Sequence, residues 1–258
     1  MSESTSTGSA GGGTAAGIAT LDTVVLDAPD VEASGAFWQR LTGGTVEQHA
    51  DEGGTFLTMR TPDGWLLGFQ PAPGLVRAEW PGQQRPQQVH LDLRVPDVAA
   101  ATEEAVAIGA TLLRENEAWN TLVDPAGHPF DLCLAPDNAG LTIMGVTFDV
   151  PDASAAAAFW SQLLGDPVVH DGDGMAMLGG EQPILFQQVE GYTAPRWPDP
   201  AFPQQLHLDL WTRGVSLDAA EAAALDIGAT RLPGGGETFR VFADPAGHPF
   251  CLVGGQTT

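Results

Sequence analysis

Asp124-Pro125-Ala126-Gly127-His128-Pro129-Phe130 recurs letter for letter as Asp244-Pro245-Ala246-Gly247-His248-Pro249-Phe250. Upstream of each copy stands a second shared motif, Gln88-Val89-His90-Leu91-Asp92-Leu93 in one case and Gln205-Leu206-His207-Leu208-Asp209-Leu210 in the other. A repeat of this kind marks a chain assembled from duplicated supersecondary units. In the first segment proline fixes φ and glycine admits a positive φ, so Asp-Pro-Ala-Gly reads as a tight turn feeding a closing strand. That makes the segment a structural signature. The position after it diverges, Asp131 in one copy and Cys251 in the other.

Working outward, Leu21 to Leu26 reads as a strand, and Asp30 to Leu41 as a helix that carries Phe37-Trp38 and ends at Gly43-Gly44. Strands near residues 45–49, 55–60 and 65–70 follow, separated by the turn signals Asp-Glu-Gly-Gly and Pro-Asp-Gly. A Pro-rich connection, residues 71–86, leads to a strand at 88–95, a helix at 97–108 and strands near 111–115, 120–123 and 129–134. The pattern restarts with a strand at 142–150 and a helix at 153–164 carrying Phe159-Trp160 before Gly165, and a fourth unit begins at Gln205. The fold class is therefore α+β, with four βαβββ modules in two domains, residues 18–137 and 138–258. Residues 1–17, rich in Ser, Thr, Gly and Ala without a basic start or apolar stretch, read as a disordered tail and not as a signal peptide.

Composition narrows the chemistry. Formal net charge is −23, from 33 acidic residues against 10 basic ones, and all ten are arginine. Without lysine there is no Schiff-base catalysis through a lysine amine. So acidic a chain repels phosphate backbones and anionic lipid, which argues against nucleic acid and membrane as partners. Cys133 and Cys251 are too few for a disulfide framework and are expected as reduced thiols in a cytoplasmic protein. No apolar run approaches the ~20 residues of a membrane helix. The run Gly234-Gly235-Gly236 lacks the lysine and helix of a phosphate loop, and no G-x-S-x-G nucleophile motif occurs.

Paired βαβββ modules, the aromatic pair and glycine closing the first helix of each half, and the Asp-Pro-x-Gly-x-x-Phe hairpin together resemble the vicinal oxygen chelate superfamily. This group holds glyoxalase I, the extradiol dioxygenases and the bleomycin-resistance proteins. The stretch from Pro195-Arg196-Trp197-Pro198 to Leu210 is similar to an actinobacterial glyoxalase-like branch. The resemblance implies that two modules pair their sheets into a cupped half-barrel with the site on the concave face. It also implies metal ligands from a His early in the first strand, a His opening the second module and a Glu on its closing strand. Those positions map to Thr23, His90 and Asp131 in the first half, and to Gly145, His207 and Cys251 in the second, with Gln70 or Gln187 as weak additions. Since Thr23 is a poor ligand and Gly145 offers none, no cofactor is predicted; a divalent metal, if bound, takes His90 and Asp131.

Strand alternation places His90 and Asp92 on the cup face and Leu91 and Leu93 under the helix. Asp131 and Cys133 face the cup, with Phe130, Leu132 and Leu134 on the helix side. His90 with Asp92 is the candidate catalytic pair, a general base and its orienting carboxylate. The candidate ligand-binding residues are Trp80, Gln88, His90, Asp92, Asp131, Trp197, Gln205, His207 and Asp209. The competing readings are a His-Asp pair satisfied within the sheet, and tryptophans that plug a module boundary instead of lidding a cup. The expected function is binding of a small, planar or aromatic, neutral or cationic molecule by a monomer or homodimer, through sequestration or metal-independent acid-base chemistry. The alternative is a metal-dependent lyase, isomerase or dioxygenase. A third reading is a structural tandem domain with filled cups. Because Asp131 becomes Cys251, the first half is the expected working site.

Overall fold

A computed structural model describes residues 17–51, 54–82, 84–199, 202 and 204–254, so the predicted tail falls almost wholly outside the described residues. The first module comprises β1 (Ala19–Ala28), α1 (Val31–Thr42), β2 (Thr45–Asp51), β3 (Gly54–Arg60) and β4 (Leu66–Pro71). The second comprises β5 (Val89–Val95), α2 (Val98–Ala107), β6 (Thr111–Glu115), β7 (Trp119–Val123) and β8 (Pro129–Leu134). The third comprises β9 (Thr142–Val150), α3 (Ala153–Leu164), β10 (Val168–Gly172), β11 (Met175–Leu178) and β12 (Ile184–Gln188). The fourth comprises β13 (Leu206–Thr212), α4 (Leu217–Asp226), β14 (Thr230–Gly235), β15 (Phe239–Ala243) and β16 (Pro249–Val253).

Short polar side chains start each helix. Asp30, Asp97, Asp152 and Ser216 each accept the backbone N–H three residues on, satisfying one donor that the first turn leaves open. Gly43 and Gly165 close α1 and α3 in the left-handed conformation, with φ of 75° and 77°.

The sheets correct the expected grouping of modules. One sheet runs β14-β15-β16-β13-β1-β4-β3-β2 and the other β10-β11-β12-β9-β5-β8-β7-β6, so module 1 pairs with module 4, and module 2 with module 3. Residues 18–137 therefore do not close a sheet on themselves, and neither do residues 138–258. Strand β1 lies antiparallel to β13, with Val25 opposite His207, and β5 lies antiparallel to β9, with His90 opposite Thr147. Within every module the first strand pairs with the last and leaves its other edge open, and an open apolar edge must find a partner. The near-identical motifs that open β5 and β13 offer equivalent edges, so the sequence alone does not say which one β1 takes.

The two sheets are then joined by the repeated segments. The indole of Trp38 on α1 packs on Phe130 of β8 with ring centroids 5.5 Å apart, and Trp160 on α3 packs on Phe250 of β16 at 5.4 Å. Each indole N–H donates to the turn aspartate, Asp124 or Asp244, at 3.0 Å. Asp124 also accepts the backbone N–H groups of Gly127 and His128, at 2.7 and 2.8 Å. Gly127 stands at φ 107°, as the turn requires. One apolar core runs through both sheets, from Val24 and Leu26 through Leu91 and Phe130 to Leu208 and Phe250.

Candidate functional site

Each sheet turns one face to the core and carries polar side chains on the other, its cup face. In β1, Val24 and Leu26 enter the core while Thr23, Val25 and Asp27 take the opposite face; in β13, Leu208 and Leu210 enter the core while His207 and Asp209 take that face. The first cup, of modules 1 and 4, holds a cleft of about 270 Å³. Gln70, His207, Asp209 and Cys251 lie at its floor, and Phe56 and Phe239 form walls.

His207 Nε2 lies 3.5 Å from Asp209 Oδ1, and the donor atoms of His207, Asp209 and Cys251 fall within 4.8 Å of one another. Burial works against a charged imidazole, yet the hydrogen bonds that His207 donates to Asp209 and Cys251 win and hold it well above the ordinary imidazole range. Burial pushes the Cys251 thiol up, beyond what the neighbouring His207 pulls back. Deeper in the cup, Asp27 accepts Gln204 Nε2 at 3.2 and 3.3 Å and Gln70 Nε2 at 3.3 Å. Burial raises Asp27, with His207 and Gln204 opposing.

The second cup, of modules 2 and 3, repeats this frame with more acid. His90 Nε2 lies 3.7 Å from Asp92 Oδ1, and His90, Asp92 and Asp131 gather their donor atoms within 4.8 Å. Asp92 also accepts Thr147 Oγ1 and, at 3.8 Å, the Cys133 thiol. Asp149, the counterpart of Asp27, accepts Gln87 Nε2 at 3.2 Å on both oxygens. Burial raises Asp131 and Asp149, and His90 partly offsets it in both. The imidazole Nδ1 of both His90 and His207 is buried without a hydrogen-bond partner.

The cross-half pairing rewrites the expected ligand sets. Thr23 lies opposite Asp209 and donates its hydroxyl to Asp22 at 2.7 Å, so it belongs to His207's cup and not to His90's. Gly145 lies opposite Asp92, in His90's cup. A side chain at 145 has no room: its Cβ would fall 2.5 Å from Leu185 Cδ1 and 2.7 Å from the Pro183 carbonyl oxygen. Gln70 likewise joins His207, while Gln187 pairs in register with Asp149 beside His90. What remains for a metal is a trio in each cup. Imidazole, carboxylate and thiol in the first suit a borderline ion such as zinc, and imidazole with two carboxylates in the second suits a harder one.

Other predicted residues separate. Gln88 and Gln205 lie at the junction between the cups, where Gln205 Oε1 accepts the Gln88 backbone N–H at 3.2 Å and Gln205 Nε2 donates to the Pro86 carbonyl at 2.9 Å. They act there as a clasp beside a narrow space of about 20 Å³. Trp197 is half-buried, and a Cβ on Gly234 would lie 3.5 Å from both its ring and Val241. Val241 is the register partner of Cys251, so Trp197 lies near the strand beside the first cup. Trp80 is half-buried in the matching loop of the first half. Leu134, expected under the helix, is 46% exposed because it ends the strand. His170 is exposed, and the side chain of His49 lies outside the described residues. His128 and His248 are buried in the turns and bound to Asp124 and Asp244 at 3.2 Å, a structural role.

Asp27, Asp149, Gln87 and Gln204 escaped the sequence reading. Their signal was present: Asp27-Ala28-Pro29-Asp30 and Asp149-Val150-Pro151-Asp152 repeat at the end of the first strand of each half, and Gln87 and Gln204 stand before the shared motif.

The model of a family described as "Glyoxalase-like domain" matches residues 23–133 and again 145–253. Among solved structures, glyoxalase I from Zea mays is similar at 18% identity, covering 92% of this chain and 92% of that chain with a TM-score of 0.68. A point mutant of the same Zea mays enzyme gives a TM-score of 0.67 at 18% identity, over 92% of this chain and 94% of that one. A putative dioxygenase from Bacillus subtilis covers 93% of this chain and 86% of its own at 13% identity, with a TM-score of 0.62. At these identities the likeness is one of fold. No curated protein matches in sequence. Among the described residues, no helix is long and apolar enough to cross a membrane.

Proposed function

Because the chain belongs to the glyoxalase-like domain family, matched twice along its length, we propose that it is a cytoplasmic small-molecule-binding protein whose first cup takes a planar or aromatic, neutral or cationic ligand. The observation that carries this reading is the cleft over His207, with an ionisable floor and the aromatic walls Phe56 and Phe239. Aromatic walls bind planar ligands through large apolar contact at little entropic cost, while a few convergent polar groups set orientation. Trp197, close to Gly234, is the candidate lid of this reading.

Two outcomes fit this site. In sequestration the cup holds its ligand without changing it. In metal-independent acid-base chemistry, His207 gives its proton to the ligand and becomes neutral, Asp209 orients the ring, and His90 with Asp92 forms the corresponding pair in the second cup. This moves the weight from the His90 cup expected from sequence toward the His207 cup.

The test is a thermal-shift screen of neutral and cationic planar compounds against the wild type and His207→Ala. Any ligand of the folded state raises Tm by mass action. Stabilisation of the wild type that the variant loses is the expected result, and no stabilisation by any compound at millimolar concentration sinks the reading.

A second reading is favoured by the two donor trios. His207, Asp209 and Cys251, or His90, Asp92 and Asp131, would hold a divalent ion, which would polarise a ligand carbonyl or activate water. Near-stoichiometric metal in purified protein, lost on His90→Ala or His207→Ala, supports a metal-dependent lyase, isomerase or dioxygenase. Metal-free protein that still turns over a ligand removes it.

A further inference from the structure

The two cups share a frame and differ at their mouths by a charge. Two residues beyond Asp92 on β5 stands Arg94; two residues beyond Asp209 on β13 stands Trp211. Register carries the comparison across the sheets. Asp92 pairs with Asp131 and Arg94 with Cys133, whereas Asp209 pairs with Cys251 and Trp211 with Val253. On the next strand Trp119 lies opposite Cys133, and Phe239 opposite Val253. Register partners share a face, so Trp119 and Arg94 line the mouth of the cup whose floor is acidic.

Arg94 is one of only ten basic residues in a chain of charge −23. It is exposed, and among the described residues it makes neither a hydrogen bond nor an ion pair. A cation left unpaired in so acidic a molecule is available to an anion from outside. Below it, Asp92, Asp131 and Asp149 surround His90, which is 4% exposed and whose Nδ1 has no partner. Burial opposes the charge on Asp131 and Asp149, and a ligand's N–H⁺ donors seated among these carboxyl groups would offset that cost.

We propose that the second cup recognises a small zwitterion with an aromatic body, an amino-acid-like molecule. Its ammonium group is taken by the floor carboxylates, its carboxylate by Arg94, and its ring by the 42% exposed face of Trp119. Two residues along a strand span about 7 Å, a separation that an α-ammonium and α-carboxylate bridge with one hydrogen bond at each end. The first cup, with Trp211 and Val253 in place of Arg94 and Cys133, has no counterpart for the anionic end. This inference rests on the reading of the cups as small-molecule sites, but it concerns the other cup.

Isothermal titration with L- and D-phenylalanine, phenethylamine and 3-phenylpropionate tests it. A phenylalanine should bind, and the amine and the acid each about tenfold more weakly or worse, since each forfeits one charge-assisted contact. Arg94→Gln, with Tm unchanged as the folding control, should bring phenylalanine down to the affinity of phenethylamine and leave the amine's affinity as it was. Asp131→Asn should weaken phenylalanine and amine but not the acid. No binding of either phenylalanine, binding that Arg94→Gln leaves intact, or binding abolished only by His207→Ala overturns the proposal. A neutral planar probe that stabilises the wild type but not His207→Ala keeps the first-cup reading standing through any of these failures.

Discussion

Trp38, on helix α1 of the first module, and Asp124, in the β7–β8 turn of the second, lie 86 residues apart, yet the indole N–H donates to the carboxylate at 3.0 Å in a fully buried setting. Asp124 accepts two backbone N–H groups and His128 as well, so removing it leaves several buried donors without partners at once. Asp124→Ala should cost about 3–5 kcal/mol, and Trp38→Ala about 3–5 kcal/mol through the cavity it leaves. Urea unfolding followed by far-UV circular dichroism checks both. A double variant should cost more than either single one but less than their sum, because the hydrogen bond they share is counted in both.

The same cluster sets a pH dependence. Burial opposes the Asp124 anion, but the contacts to His128 outweigh it and hold the carboxyl below its usual value of 3.8. Burial likewise opposes the His128 cation, and Asp124 outweighs it, so that imidazole is held above 6.5. The carboxylate's contribution is present above 3.8 and lost as pH falls through its folded value. The imidazole's contribution is full below 6.5 and lost as pH rises through its folded value. Asp27, Asp131 and Asp149, raised by burial, also favour the folded state more at low pH. Tm should therefore peak in mild acid and fall above pH 6.5, and His128→Gln should flatten the alkaline fall. Differential scanning calorimetry from pH 4 to 9 reads this directly.

Cutting the chain between the halves separates no sheet. Strands β1 and β13 stay paired across the cut, as do β5 and β9. Protein cleaved by an engineered protease site in the connection at residues 135–141 should elute from size exclusion at the position of the intact chain. Each half expressed alone should aggregate or self-associate through its open strand edge. Halves that each run as well-folded monomers would contradict the pairing.

Gly68 supports a wall of the first cup. A Cβ there would meet the Phe56 ring at 2.7 Å and the Thr23 methyl at 3.0 Å. Gly68→Ala should therefore displace Phe56, lowering stability by about 1–3 kcal/mol from overpacking. It should weaken first-cup ligands and leave phenylalanine binding by the second cup alone. Paired titrations of a first-cup ligand and phenylalanine measure the difference.

Periodicity and turn chemistry made the modules legible. Asp30 and Asp97 opened the expected helices, and alternation along β5 put Leu91 and Leu93 in the core, with His90 and Asp92 opposite. Those are local facts, fixed by 3.6- and 2-residue periods. Which module pairs with which is not local, because β5 and β13 carry almost the same residues and offer β1 the same edge. The ligand sets inherited that ambiguity, placing Thr23 beside His90 when its neighbour is Asp209. Asp27 and Gln204 were hidden for the same reason, being 177 residues apart and joined only by the cross-half sheet.

The interlocked sheets mean that neither half of the chain owns a site. Phe56 and Gln70, from the first half, furnish the cup of His207, while Thr147 and Gln187, from the second, furnish the cup of His90. In evolutionary terms the molecule behaves as a dimer fused into one chain, and exchanging one half for a homologue's would remodel both binding sites together. A lineage can specialise one cup only through substitutions scattered across both halves, and the opposition of Arg94 to Trp211 and of Asp131 to Cys251 is the kind of trace such specialisation leaves.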